Sequence, residues 1–145
     1  MQVDNILATK GSNVVTVKPT QLIREVLALL AQYNVGALVV TDARDRCVGI
    51  VSERDIVRHL ATDGPSILQG PVSAIMTSSV QCARPQATTR DLMALMTDSR
   101  IRHVPVVDDE DTMIGIVSIG DVVKSRLGEL EEERDALMQY VTIGG

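Results

Sequence analysis

Gly49-Ile50-Val51-Ser52-Glu53-Arg54-Asp55 returns 66 residues later as Gly115-Ile116-Val117-Ser118-Ile119-Gly120-Asp121, and that return decides the fold. Working outward, Val39–Ser52 lies over Pro105–Ser118 without a gap. Pro19/Pro85, Arg24/Arg90, Ala28/Ala94, Leu29/Leu95 and Val57/Val123 coincide at the same offset. Fortuitous matches do not hold register over such a span. Two copies of one unit bury their apolar faces against each other, with a pseudo-two-fold axis between them. A pocket on that axis should therefore exist twice.

Each copy reads in the same order. A short strand comes first, at Val14–Val17 and Val80–Ala83, followed by a proline and a helix. In the first helix Leu22, Val26, Leu27, Leu29, Leu30 and Tyr33 share a face; in the second, Leu92, Met93, Leu95 and Met96 do so. Continuous apolar runs at Val35–Val40 and Val104–Val107 predict strands buried on both sides. Polar turns, Asp42–Arg46 and Asp108–Asp111, lead into third strands at Cys47–Val51 and Met113–Val117. Second helices open at Ser52 and Ser118. Short lead-ins, Val3–Leu7 and Val72–Met76, align at an offset of 69, so repeat one carries extra residues around Lys10–Asn13. The expected fold class is α/β (α+β), with two pseudo-symmetric β-α-β-β-α repeats packed sheet to sheet. The expected domains are repeat one at 1–64, repeat two at 65–128 and a C-terminal helical tail at 129–145. Asp121 to about Val141 reads as a long helix in which Val123, Leu127, Leu130, Leu137 and Val141 could form a stripe, and Gly128 could bend it or divide it in two.

Composition narrows the function. The 145 residues carry a net charge of −5, two cysteines, two tyrosines and no Phe or Trp. Nothing resembles a basic footprint for nucleic acid or an aromatic base-stacking platform. Cys47 and Cys82 match no metal or disulfide spacing and fit a reducing, cytoplasmic setting as small core or near-core residues. No run is long enough to span a membrane, and Met1–Lys10 does not read as a signal peptide. No metal, nucleophile or phosphate-loop signature is complete, so an enzyme is not expected. Gly115-x-x-x-x-Gly120, for example, continues as Asp-Val where a phosphate loop needs Lys followed by Ser or Thr.

The chemistry lies in Ser52 and Asp55 and their partners Ser118 and Asp121. At each junction a buried strand ends and a helix opens, presenting free N–H groups and the positive end of a helix dipole. A serine hydroxyl there can donate to a phosphate, and an aspartate one turn on can accept from both hydroxyls of a ribose. Ser-x-x-Asp is equally a helix capping box that needs no ligand. On chemistry alone both readings stand.

The whole pattern resembles a tandem pair of cystathionine-β-synthase (CBS) domains, the Bateman module, over roughly residues 3–127. The resemblance rests on GIVSERD, GIVSIGD and Arg102-His103-Val104-Pro105-Val106-Val107-Asp108. It implies ribose contacts from Asp55 and Asp121, and phosphate contacts from Ser52, Ser118, Arg54 and Arg102. It also implies an adenine pocket drawn from Thr16, Val35, Gly36, Ala37, Thr77, Val80, Ile101, His103 and Ile116. Thr77–Cys82 and Ile101–His103 would lie near Asp55; Gly11–Val17 and Val35–Ala37 would lie near Asp121. The ligand would be AMP, ADP, ATP or NAD, with no catalytic cofactor and no metal. The chain would act as a regulatory sensor and homodimer read by an unknown downstream protein, with no nucleic acid or membrane partner. The alternative is a ligand-free scaffold. Because Gly36 stands where repeat two has Arg102, and Gly120 where repeat one has Arg54, the two clefts should be unequal.

Overall fold

The computed structural model describes residues 1–11 and 14–144. Among the described residues are five α-helices, two short 3-10 helices (Pro65–Gln69 and Val72–Ala74) and five strands in two small sheets: α1 (Val3–Lys10), β1 (Thr16–Val17), α2 (Ile23–Tyr33), β2 (Ala37–Thr41), β3 (Cys47–Ser52) and α3 (Glu53–Asp63), then α4 (Thr89–Ser99), β4 (His103–Val107), β5 (Met113–Ser118) and α5 (Ile119–Gly144). Repeat one holds the sheet β1-β2-β3, with β1 parallel to β2 and β2 antiparallel to β3; repeat two holds β4-β5, antiparallel. All five residues of β2 are buried, as an unbroken apolar run requires.

The duplication extends to single atoms. Asp42 Oδ1 accepts from the N–H groups of Arg44 and Arg46, and Asp108 Oδ1 accepts from those of Glu110 and Thr112. Asp45 and Asp111 take positive φ, 61° and 64°, in the same turns. Short polar side chains that bond their own backbone favour this geometry. Each hairpin also shifts register at one place, between Val40 and Thr41 and between Val106 and Val107.

The lead-ins exchange places. Val3 N–H donates to Ala87 O at 2.8 Å and Asp4 N–H to Pro85 O at 3.1 Å. At the equivalent positions Val72 N–H donates to Gln21 O at 2.8 Å and Ser73 N–H to Pro19 O at 3.1 Å. Thus Val3, Ile6 and Leu7 complete the core of Leu92, Met96, Val104 and Val117, while Val72 and Ile75 complete that of Val17, Ile23, Val26 and Ile56. By sequence order α1 belongs to repeat one; by packing it belongs to repeat two, so a boundary at 64/65 cuts through both cores. Each fully buried aliphatic side chain contributes about 1.5–3 kcal/mol, and both lead-ins are therefore structural. A third cluster, Val39, Val107 and Met113 with Val14, Cys47 and Ile116 against it, joins the two sheets.

Glycine makes this exchange possible. A Cβ at Gly115 would come within 2.6 Å of Leu7 Cδ2 and 2.9 Å of Cδ1, and one at Gly49 within 2.5 Å of Met76 Sδ. Gly115→Ala should therefore push α1 off the sheet and destabilise the fold by about 1–3 kcal/mol. Urea unfolding measures this, and an unchanged midpoint would refute the close packing.

Two expectations need correction. Val80–Ala83 forms no strand; only Ala83 bridges Val106, in parallel. Pro105 lacks the N–H that would extend the pairing toward residue 81, so the ladder stops after one rung. Gly128 does not divide the C-terminal helix, because α5 runs unbroken through it for 26 residues. An Arg126–Glu129 ion pair at 2.8 Å straddles that glycine, and Glu129 also meets the N-terminal ammonium of Met1 at 3.0 Å. The tail drawn at 129–145 is thus the continuation of repeat two's second helix.

Candidate functional site

Both strand-to-helix junctions form a complete capping box. Asp55 N–H donates to Ser52 Oγ at 3.3 Å, while Asp55 Oδ2 accepts from Ser52 N–H at 2.9 Å and from its hydroxyl at 3.0 Å. Ser118 and Asp121 repeat these contacts at 3.2, 2.8 and 2.9 Å. The capping reading is therefore realised in both copies. It consumes only one carboxylate oxygen: Asp55 Oδ1 accepts no hydrogen bond among the described residues.

The strand opposite each junction is tied to it. Glu53 N–H donates to Gly36 O at 3.0 Å, and Ile119 N–H to Arg102 O at 2.8 Å. Thr77 closes the floor on the Asp55 side by exchanging two backbone bonds with Ile50, at 2.9 and 3.0 Å. The result is a cleft of about 400 Å³ between the repeats. Gly36, Ala37, Ile50 and the 52–55 junction line it from repeat one, with Arg58 one turn further along α3; Thr77 and Arg100–His103 line it from repeat two. That volume lies within the range of small-molecule sites.

Its electrostatics run against the rest of the chain. Arg54, Arg58, Arg100 and Arg102 face only two carboxylates, Glu53 and Asp55, in a protein of net charge −5. Arg100 sits in the left-handed region, φ 53° and ψ 41°, at the end of α4. Asn34 occupies the equivalent place after α2, at φ 50° and ψ 50°. Asn tolerates that conformation, whereas a long side chain there costs about 1–2 kcal/mol. Strain of this kind gathers at functional sites. Burial lowers the His103 pKa, and the Lys10 ammonium lowers it further, against the opposing effect of Asp121 and Glu53. Its ring lies 3.4 Å from where a side chain on Gly36 would begin.

The second junction is occupied from within. Lys10 Nζ donates to Asp121 Oδ2 at 2.6 Å and to Ile116 O at 2.8 Å. Ile116 O is the counterpart of the Ile50 carbonyl that Thr77 binds. Burial pushes the Asp121 pKa up, but Lys10 and Ser118 outweigh it and hold the carboxylate below its usual range.

Of the residues singled out by sequence, Ser52, Arg54, Asp55, Gly36, Ala37, Thr77, Ile101, Arg102 and His103 meet in the open cleft. Ser118, Asp121 and Ile116 meet at the lysine-filled junction instead. Gly36 and Ala37, expected near Asp121, line the Asp55 side because the Gly36 carbonyl is bound to the start of α3. Thr16 pairs with Val39 in the sheet, Val35 N–H is spent on Leu30 O, and Val80 lies outside the cleft. Of the Gly11–Val17 segment, Ser12 and Asn13 lie outside the described residues. Lys10, Glu53, Ile50, Arg58 and Arg100 were not singled out as site residues. The change of offset from 69 to 66 marks extra residues around Lys10–Asn13 but does not by itself point to Asp121.

Among the described residues no His, Cys, Asp and Glu group has a metal-binding arrangement, and no helix is long and apolar enough to cross a membrane. The CBS domain model matches residues 3–62 and 72–128. The chain is 41% identical over 119 residues to a mitochondrial CBS domain-containing protein, CBSX3, of Arabidopsis thaliana, covering 79% of this chain and 57% of that one. It thus spans little more than half of that relative. The crystal structure of the CBS-domain containing protein ATU1752 from Agrobacterium tumefaciens superposes with a TM-score of 0.83 at 44% identity, over 87% of this chain and 99% of that one. That of CBSX2 in complex with AMP superposes at 0.74 and 28% identity, over 88% and 96%.

Proposed function

The chain belongs to the CBS-domain family, and on that footing we propose that it is a regulatory sensor, not an enzyme, which binds one adenine nucleotide in the cleft at Asp55. The single observation that carries this reading is that Asp55 and four arginines line one cleft between the repeats. Asp55 Oδ1 takes the ribose hydroxyls, and the Ser52 hydroxyl turns from Asp55 Oδ2 to donate to a phosphate oxygen. Arg54, Arg58, Arg100 and Arg102 take the rest of the phosphate chain. Adenine fits between Ala37 and Ile50 on one wall and Thr77 and Ile101 on the other. AMP bound to a structural neighbour supports the ligand class. The excess of arginines over carboxylates favours ATP, ADP or NAD over AMP.

The signal is a population shift. A ligand held by both repeats favours one relative arrangement, and its differential affinity sets how far the equilibrium moves. Val57 and its counterpart Val123 are 63% and 50% exposed. Such paired apolar positions on α3 and α5 suit a homodimer that a downstream partner reads, in a cytoplasmic setting.

One observation favours the scaffold alternative, since the capping boxes are complete without any ligand. Native mass spectrometry of freshly purified protein distinguishes the two. A co-purified adenine nucleotide supports the sensor. A bare chain whose melting temperature no adenine nucleotide raises supports the scaffold, because a ligand of the folded state must stabilise it.

The arginines make a separate prediction. Arg58→Ala with Arg100→Ala should weaken ATP binding by about 10- to 100-fold, at roughly 1.4 kcal/mol per tenfold, and leave adenosine binding unchanged. Calorimetry with both ligands measures this; an equal loss for adenosine would show that these side chains shape the cleft instead of binding phosphate.

A further inference from the structure

Cys47 and Cys82 lie 35 positions apart in sequence, in different repeats, and neither lines the nucleotide cleft. Their repeat counterparts are Met113 and Thr16, so the pair is no part of the duplicated pattern. The fold nonetheless brings them to one place. Cys47 opens β3 and packs, half-buried, on the cluster of Val39, Val107 and Met113 between the two sheets. Cys82 precedes Ala83, whose N–H donates to Pro105 O at 2.9 Å and whose carbonyl accepts from Val107 N–H at 3.0 Å. Ala83 pairs in parallel with Val106, so residue 82 stands opposite Pro105 and, by strand alternation, on the face of β4 that carries Val107, a member of the cluster on which Cys47 packs from the other sheet. The turn before Cys47 is fixed as well, since Met113 N–H donates to Asp45 O at 3.2 Å.

We propose that Cys47 and Cys82 are a thiol pair that a hydroperoxide oxidises reversibly to a disulfide, cross-linking the two repeats. Cys82 is exposed and attacks; Cys47, more enclosed, resolves. The Cys82 thiolate attacks the terminal oxygen of R–O–O–H, so that an S–O bond forms, the O–O bond breaks and an alcohol leaves after protonation. The Cys47 sulfur then attacks the Cys82 sulfenic acid. An S–S bond forms, the S–O bond breaks, and water departs with the Cys47 proton. Two thiols lose two electrons, the peroxide gains them, and a small dithiol reverses the change.

The local chemistry suits these roles. A hydrogen bond from Cys47 brings the Cys82 thiol down to about 7; burial and the Asp111 carboxylate oppose this, and Arg84 assists it. The same contact, together with burial, pushes the Cys47 thiol up. Arg84 is itself paired with Asp111 at 2.9 Å, so the Cys47 contact is the main local cause of the lowered value. Of the two thiols Cys82 is therefore the one drawn toward the thiolate, the form that attacks a peroxide.

The test is stoichiometric hydrogen peroxide on the reduced full chain, read by intact mass and by peptide mapping without reductant. The expected product has lost two hydrogens, joins the Cys47 and Cys82 peptides within one chain, and reverts with dithiothreitol. Cys47→Ser should stop at a Cys82 sulfenic acid that dimedone traps, and Cys82→Ala, at an exposed position, should react with neither. Iodoacetamide should alkylate Cys82 with a midpoint near 7 that rises by about one unit or more in Cys47→Ser. The proposal is overturned if the thiols survive peroxide unchanged, if the cross-link joins two chains, or if the alkylation midpoint does not move.

Discussion

Asp55→Ala loses adenine-nucleotide affinity by a hundredfold or more while the chain stays folded. The carboxylate is expected to accept from both hydroxyls of the ribose. Each charge-assisted bond contributes about 1.5–3 kcal/mol, so two together account for roughly 3–5 kcal/mol. At about 1.4 kcal/mol per tenfold, that is a loss of two orders of magnitude or more. The same side chain caps α3, and removing the cap costs about 1 kcal/mol of stability, a small part of the 5–15 kcal/mol of an ordinary domain. Binding should therefore collapse while melting shifts by a few degrees. Asp121→Ala is the matched control: it removes the equivalent cap but should leave affinity within a few-fold of the parent, because Lys10 already fills that junction. Calorimetry and thermal melting of both variants check this. Equal affinities in the parent and Asp55→Ala would remove Asp55 from the site.

Lys10→Met changes the number of ligands bound. In the parent chain the ammonium satisfies both Asp121 Oδ2 and Ile116 O, two acceptors at the junction where a second nucleotide would sit. Methionine has similar reach and no charge, so both acceptors become available and stoichiometry should rise from one nucleotide per chain to two. The new site should be weak for polyphosphates. Asn34, Gly36, Gly120 and Lys124 stand where the first cleft has Arg100, Arg102, Arg54 and Arg58, so three of the four guanidinium groups have no cationic counterpart. Adenosine should thus discriminate less between the two sites than ATP does. A stoichiometry fixed at one in Lys10→Met would mean that something other than the lysine closes the junction.

The architecture was legible because duplication leaves marks at invariant chemical needs: glycine where another segment packs close, aspartate in the left-handed turn, serine and aspartate at a helix start. Val80–Ala83 misled for a local reason. Its apolar pattern suits a strand, but the neighbour it must pair with is Pro105, which has no N–H to give. The open cleft was legible at Ser52, Asp55, Gly36, Thr77 and Ile101–His103, where the resemblance and the geometry meet. The place of Arg100 in the cleft follows from the left-handed turn that ends α4. Lys10 was harder to read, because α1 packs on the repeat that follows it by more than 70 residues. No spacing rule links a lysine to an aspartate across such an exchange. The meeting of Cys47 and Cys82 was hidden for the same reason, since it depends on how two sheets stack and on no periodicity within either.

The most direct measurement is a calorimetric titration of the unmodified, nucleotide-free chain with ATP. One site per chain is predicted, with affinity falling as salt rises because the arginines carry much of the binding. No heat with ATP, ADP, AMP or NAD, or two sites of equal affinity, would contradict it.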